Sequence, residues 1–197
     1  MRKILRWSVV TTLTVLMSFM LSFAQEQQQQ PATGVQSSTG AQRMQERIAS
    51  EVRHELVMIP QLSLFDNLSY KVNGSTVTLM GKVVDPVIKD TAEHAVKKIE
   101  GVETVNNQIE ILPPSPNDDR IRRQAARAIF SDSSLYRYSM GTLPSLRIIV
   151  QNGHIDLEGV VDSQGDKDRA NILANSVPGV FSVTNNLRVE NVKESRD

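Results

Sequence analysis

The feature that most constrains this chain is an internal repeat. Shifting Val72–Ile111 by 78 positions lays it on Val150–Val189 without a gap, and eleven residues coincide. Val72, Leu79, Gly81, Val83, Lys89, Asp90, Ala92, Gly101, Val102, Val105 and Asn107 recur as Val150, Leu157, Gly159, Val161, Lys167, Asp168, Ala170, Gly179, Val180, Val183 and Asn185. Most of these are apolar residues or glycines, which build a core and its turns, whereas the polar positions between them mostly differ. The chain therefore holds two copies of one small scaffold, and specific function is expected where the copies diverge.

Each copy reads as helix, strand, strand, helix, strand, a mixed α+β unit. In the first, Ile48, Val52, Leu56 and Ile59 recur at helical spacing and Pro60 stops the run. Leu68, Tyr70 and Val72 then alternate, Asn73-Gly74 supplies a hairpin, and Val77, Leu79 and Val83 continue the inward phase. Gly81 shares that phase, which predicts clearance for a helix packed over the sheet, with a bulge equally permitted. On the helix reading, Gly159→Val overpacks that contact. Asp85-Pro86 starts a second helix with Ala92, Ala95, Val96 and Ile99 buried, and Gly101 ends it. The last strand is expected over Val102–Leu112, with Val105, Ile109 and Ile111 inward.

In the second copy, Ile121, Ala125 and Ile129 match Ile48, Val52 and Leu56 at an offset of 73, so five extra residues fall around Leu135–Pro144. Leu146, Ile148 and Val150, the hairpin Asn152-Gly153, then Ile155, Leu157 and Val161 make the strand pair. Ala170, Leu173, Ala174 and Val177 form the helical stripe, Gly179 ends the helix, and Val183, Leu187 and Val189 close the unit. The apolar stripes close within each copy, which predicts that Pro116–Asp197 folds alone.

The amino terminus points to export. Arg2, Lys3 and Arg6 precede an uncharged run from Trp7 to Ala24, and Ser22-Phe23-Ala24 offers a small-x-small cleavage site. A signal peptide over 1–24, cut after Ala24, fits better than a retained anchor. Residues 25–43, rich in Gln and Ser, read as a disordered tether. The first module spans 44–112, a Pro-rich linker 113–117, the second module 118–190 and a polar tail 191–197. With no cysteine, the chain has no disulfide and no thiol for lipid attachment, so it is not a lipoprotein. Removing the signal leaves 19 basic against 22 acidic residues, which argues against bulk nucleic-acid binding.

The two patterns Val77-x-Leu79-x-Gly81-x-Val83 and Gly101-Val102-x-x-Val105-x-Asn107 recur as Ile155 to Val161 and Gly179 to Asn185. Both in order, twice, behind an export signal, resemble a tandem BON-domain protein. The resemblance covers nearly everything after Met44. It implies αββαβ modules, each a three-stranded sheet with two helices on one face. It also implies a cell-envelope location and binding to phospholipid surfaces or other envelope components. The fixed attachment of lipidated relatives does not carry over.

Chemistry for catalysis is thin. His54, His94 and His154 lack the spacing of a metal site, no nucleophile elbow, P-loop or dinucleotide fingerprint occurs, and no cofactor or small-molecule substrate is implied. Asn107 and Asn185, inward at the start of the last strand, are expected to satisfy nearby backbone groups. The candidate binding site lies in the second copy. Arg120, Arg123 and Arg127 group opposite Ile121, Ala125 and Ile129 with Arg122 to one side, and Tyr136, Arg137, Tyr138 and Met140 follow in the insertion. Tyrosines at a headgroup boundary with arginines toward phosphate fit an anionic phospholipid surface. Against this stand a solvated helix face and a loop whose tyrosines cover the sheet edge. A second class is an envelope-protein or stress-adaptor partner recruited by sheet-edge pairing, with Ile149 and Val160 as outward apolar contacts.

Overall fold

The computed structural model describes residues 40–141 and 143–190. The expected signal peptide 1–24, most of the expected tether and the expected tail 191–197 lie outside the described residues. The first module runs α1 (Gly40–Val57), β1 (Asn67–Asn73), β2 (Thr76–Val83), α2 (Pro86–Lys97) and β3 (Thr104–Ile111). The second runs α3 (Pro116–Phe130), a 3-10 turn (Tyr136–Ser139), β4 (Leu146–Gln151), β5 (His154–Val161), α4 (Gln164–Asn175), β6 (Ser182–Asn185) and β7 (Arg188–Val189). The fold is α+β, two tandem αββαβ modules.

Both sheets put the return strand of the hairpin in the centre. β2 pairs antiparallel with β1 and parallel with β3. β5 does the same with β4 and with β6, and β7 continues the line of β6 along β5 after a break at Asn186 and Leu187. The parallel pairing follows from α2 and α4, which carry the chain back so that the third strand starts at the same end as the second.

Each core lies between its sheet and its two helices. In the first, Ile48, Val52 and Leu56 of α1 and Ile88, Ala92 and Val96 of α2 meet Val77, Leu79, Val83 and Ile109. In the second, Ile121, Ala125, Ile129, Ala170 and Ala174 meet Leu146, Ile148, Val150, Ile155, Leu157 and Val161. Burying each such Val, Leu or Ile side chain contributes about 1.5–3 kcal/mol, which offsets the ordering of a chain without disulfides. Asp85 caps α2 by accepting from the Val87 N–H, and Ser115 caps α3 by accepting from the Asp118 N–H.

Several expectations need correction. α1 begins at Gly40, so Gly40–Arg43, read as tether, is helical, and Ala, Gln and Arg are good helix formers even without an apolar face. α3 begins at Pro116, which leaves Pro113–Ser115 as the joint. The first hairpin turns at Gly74-Ser75, with Asn73 paired to Thr76 inside the ladder. Ile111 is exposed and Leu112 takes the buried place, its N–H donating to the Val83 carbonyl.

Gly81 and Gly159 do not clear a helix. Their φ angles are +127° and +119°, and a Cβ on either would lie 1.9 Å from a carbonyl oxygen of the neighbouring strand segment, Asn67 or Ser145. The glycine admits a positive φ and a close backbone approach within the sheet.

The modules also share contacts. Residues on the helix-free faces of the two sheets pair: Lys82 with Asp156 at 3.4 Å, and Gln151 with Glu110 at 2.8 Å. Arg147 reaches the Asp66 carbonyl and Asn67 Oδ1 at 3.5 Å, and burial lowers its guanidinium pKa from the ordinary value. The loop before β1 goes further. Leu64 and Phe65 pack against the second core, and the Leu64 carbonyl accepts from the Ile148 N–H of edge strand β4 at 2.9 Å. The loop is shaped for this by Asp66, whose carboxylate accepts from Ser63 N–H and Oγ and from Val84 N–H. The two cores are therefore not closed on themselves.

Candidate binding surface of the second module

The eight predicted site residues divide into two groups. Arg120 is a clamp: its guanidinium donates to the Pro178 carbonyl at 3.2 Å and to Asn117 Oδ1 at 2.8 Å, lying over Gly179. Its counterpart at the offset of 73, Arg47, donates to the Glu100 carbonyl at 3.0 Å beside Gly101. The same cation thus holds the turn after the second helix in both modules, where helix carbonyls carry partial negative charge. Reading the repeat back to Arg47 would have revealed this role.

Arg122 is not a surface residue. It is 3 % exposed, with Nη1 on Asp119 Oδ1 at 2.5 Å and Nη2 on the Val150 carbonyl at 2.7 Å. A position 100° round from Ile121 faces the flank of α3, and that flank closes on the edge of β4. Val72, the counterpart of Val150, has its carbonyl held from the same helix side by Gln45 Nε2 at 2.9 Å. Beside Arg122 a cleft of about 230 Å³ opens at the module junction, lined in part by Phe65, Asp66, Asp119 and Arg123.

In the insertion, Tyr138 is 4 % exposed and belongs to the second core with Leu135. Its hydroxyl donates to Asp166 Oδ2 at 2.8 Å and accepts from the Asp162 N–H at 2.9 Å, and burial pushes the phenol up from its ordinary pKa. Arg137 stacks over the Tyr138 ring at 4.8 Å and pairs with Asp162 at 3.1 Å and Asp166 at 2.7 Å. Hydrogen bonding to Tyr138 raises its pKa and keeps it cationic, and the two carboxylates compensate that charge. The insertion is a plug, sewn to the amino end of α4 through Asp166 and Ser163.

Arg137, though exposed, is paired to two carboxylates; the other exposed candidates are Arg123 and Arg127, one helical turn apart on α3, Tyr136 at the start of the 3-10 turn and Met140 just after it. Neither Arg123 nor Arg127 forms an ion pair among the described residues. Tyr136 is 57 % and Met140 60 % exposed, held outward because Leu135 and Tyr138 between them point into the core. Of the two contacts named for strand addition, Ile149 is 2 % exposed and unavailable, and β4 is partly covered by Leu64.

The structural motif residues repeat in detail. Asn107 Nδ2 donates to the Lys89 carbonyl at 3.0 Å and its Oδ1 accepts from the Ile109 N–H; Asn185 makes the same pair with Lys167, at 2.8 Å, and Leu187. Each ties the third strand to the second helix. His94 Nδ1 lies 2.7 Å from the Asp90 carbonyl and His154 Nδ1 2.7 Å from Ser182 Oγ, and no group of metal-ligating side chains occurs among the described residues.

The family comparison agrees with this architecture. The BON domain profile matches twice, over residues 45–113 and 117–191. Osmotically-inducible protein Y of Escherichia coli (strain K12) is 29 % identical over 146 residues, covering 73 % of this chain and 71 % of that protein. Among solved structures, CdsD, a structural protein of the type III secretion system of Chlamydia trachomatis, covers 73 % of this chain at 11 % identity with a TM-score of 0.29. Its C-terminal domain covers 70 % of the chain at 12 % identity with a TM-score of 0.23. Two profile matches that together span most of the sequence, on two modules of the same order and sheet topology, place this chain in the BON-domain family.

Proposed function

We propose that this is an exported, non-enzymatic binding protein of the bacterial cell envelope that associates with anionic phospholipid through its second module. The observation that carries the reading is the exposure of Tyr136 and Met140 on a turn absent from the first module. They follow a helix whose Arg123 and Arg127 form no ion pair among the described residues. An aromatic ring and a thioether enter the headgroup boundary, and the two guanidiniums meet phosphate. Each arginine near the surface contributes about 1 kcal/mol, so the pair is worth about thirtyfold in affinity. The envelope setting rests on the signal-like amino terminus and on family membership, and the similarity to an osmotically inducible protein suits a role under envelope stress.

The test is co-sedimentation with vesicles of neutral lipid alone and of neutral plus anionic lipid. Wild type binds the anionic vesicles, and binding weakens from low to physiological salt as the screening length shortens to about 8 Å. Arg123→Glu with Arg127→Glu abolishes binding while circular dichroism is unchanged. Tyr136→Ser with Met140→Ser weakens it even at low salt. Equal binding by the folded arginine variant removes α3 as the membrane face.

A further inference from the structure

Between Ala170 and Leu187 the second module carries no charged residue. The matching stretch of the first module, Ala92 to Ile109, holds Glu93, Lys97, Lys98, Glu100 and Glu103. The two stretches build the same elements, so the scaffold itself does not demand an uncharged surface here. In the second module that surface comprises the outer side of the second half of α4, the turn after it, and β6.

Among the described residues β6 is the last strand of its sheet and pairs with β5 alone. An edge strand presents unpaired N–H and C=O groups, which sequences commonly guard with charge. Ser182-Val183-Thr184-Asn185 has none. Just before it Phe181 is 76 % exposed, and α4 adds Ile172 at 59 %. Phe181 is fixed in place: its N–H donates to the Gly153 carbonyl at 2.9 Å, and its ring lies where a Cβ on Gly153 would be 2.6 Å away. The corresponding first-module residues are Ser75 and Glu103, whose side chains hydrogen-bond to each other at 2.9 Å. A polar pair closed on itself has become an aromatic ring facing solvent.

We infer that this edge docks a second copy of the chain, β6 against β6, antiparallel about a two-fold axis. A two-fold contact sets a patch against itself, so a charge near the axis meets its like, and an uncharged patch is the kind that tolerates this. An anionic lipid surface would instead be met by cations, and the stretch has none. In the antiparallel register Ser182 of each copy faces Asn185 of the other and Val183 faces Thr184, with no like charges opposed. The inference does not rest on the lipid reading. Tyr136 and Met140 sit at the end of the module where Tyr138 meets Asp162, whereas Phe181 sits at the hairpin end beside Gly153.

The experiment is sedimentation velocity of the purified protein across a wide micromolar range, wild type against Phe181→Glu with Thr184→Glu. Both positions are exposed, so the variant keeps its circular dichroism spectrum. Wild type shows a concentration-dependent monomer–dimer equilibrium, and the variant weakens it by about tenfold or more through like-charge apposition. Amide protons of Ser182–Asn185 gain exchange protection with concentration in wild type only. A wild type that stays monomeric, or a variant that dimerises equally well, overturns the inference. Loss of vesicle binding by the variant beside a monomeric wild type would reassign the edge to lipid and overturn it too.

Discussion

The Tyr138 hydroxyl and the Asp166 carboxylate, 28 residues apart, meet at 2.8 Å and lock the second module's insertion onto the start of α4. Tyr138→Phe keeps the ring in the core but leaves the Asp162 N–H and one Asp166 contact without this partner. We expect a loss of about 1–3 kcal/mol in urea unfolding. Vesicle binding by the folded variant should match wild type, since Tyr138 does not reach the surface. A variant as stable as wild type would show that the bond does not hold the insertion.

Asp132 gives a pH dependence. The Ser134 hydroxyl, Arg169 and the Ser134 N–H hold its carboxyl down to about 2 from an ordinary 3.8. Between those values the unfolded chain binds the proton and the folded one does not, so stability rises with pH there. The contribution is complete above the unfolded value and is lost as pH falls toward about 2. Asp132→Asn should therefore lower the melting temperature at neutral pH and converge on wild type in acid. Parallel melting curves down to acid pH would remove this carboxylate from the acid sensitivity.

Gly159→Ala tests the backbone reading of the sheet glycine. With φ at +119° and the Ser145 carbonyl 1.9 Å from the new methyl, even alanine should cost about 2 kcal/mol or more. Urea midpoints that coincide with wild type would mean that the strand adapts without strain.

Phe65→Ala tests whether the modules share a core. Phe65 belongs to the first module by sequence but packs on the second core, so its truncation should destabilise the second module by about 1–3 kcal/mol. Amide exchange at Ile148 and Ile155 should speed up more than at Leu79. The same argument revises the expectation for Pro116–Asp197: without Leu64 and Phe65 the fragment should melt below the intact chain. Equal melting would show that the junction contributes nothing.

The sequence by itself determined the repeat, the order of elements, the family and most core positions, because periodicity of 2 and 3.6 records which side of an element is buried. Ile48, Leu79, Ile121 and Leu157 were legible for that reason. The conserved geometry of Asn107 and Asn185 was legible as a need for partners, though not as the particular carbonyls of Lys89 and Lys167. Tertiary structure alone decided the fate of the polar candidates. A helical wheel separates Arg122 from Ile121 but carries no information about β4, whose Val150 carbonyl takes that guanidinium out of solvent. Tyr136 and Tyr138 look alike in sequence, and only the fold puts the Tyr138 ring in the core with its hydroxyl on Asp166. Leu64 and Phe65 show the same limit for the modules: a stripe read along one copy cannot reveal that a loop crosses to the other, since hydrophobic burial depends on proximity in space and not in sequence.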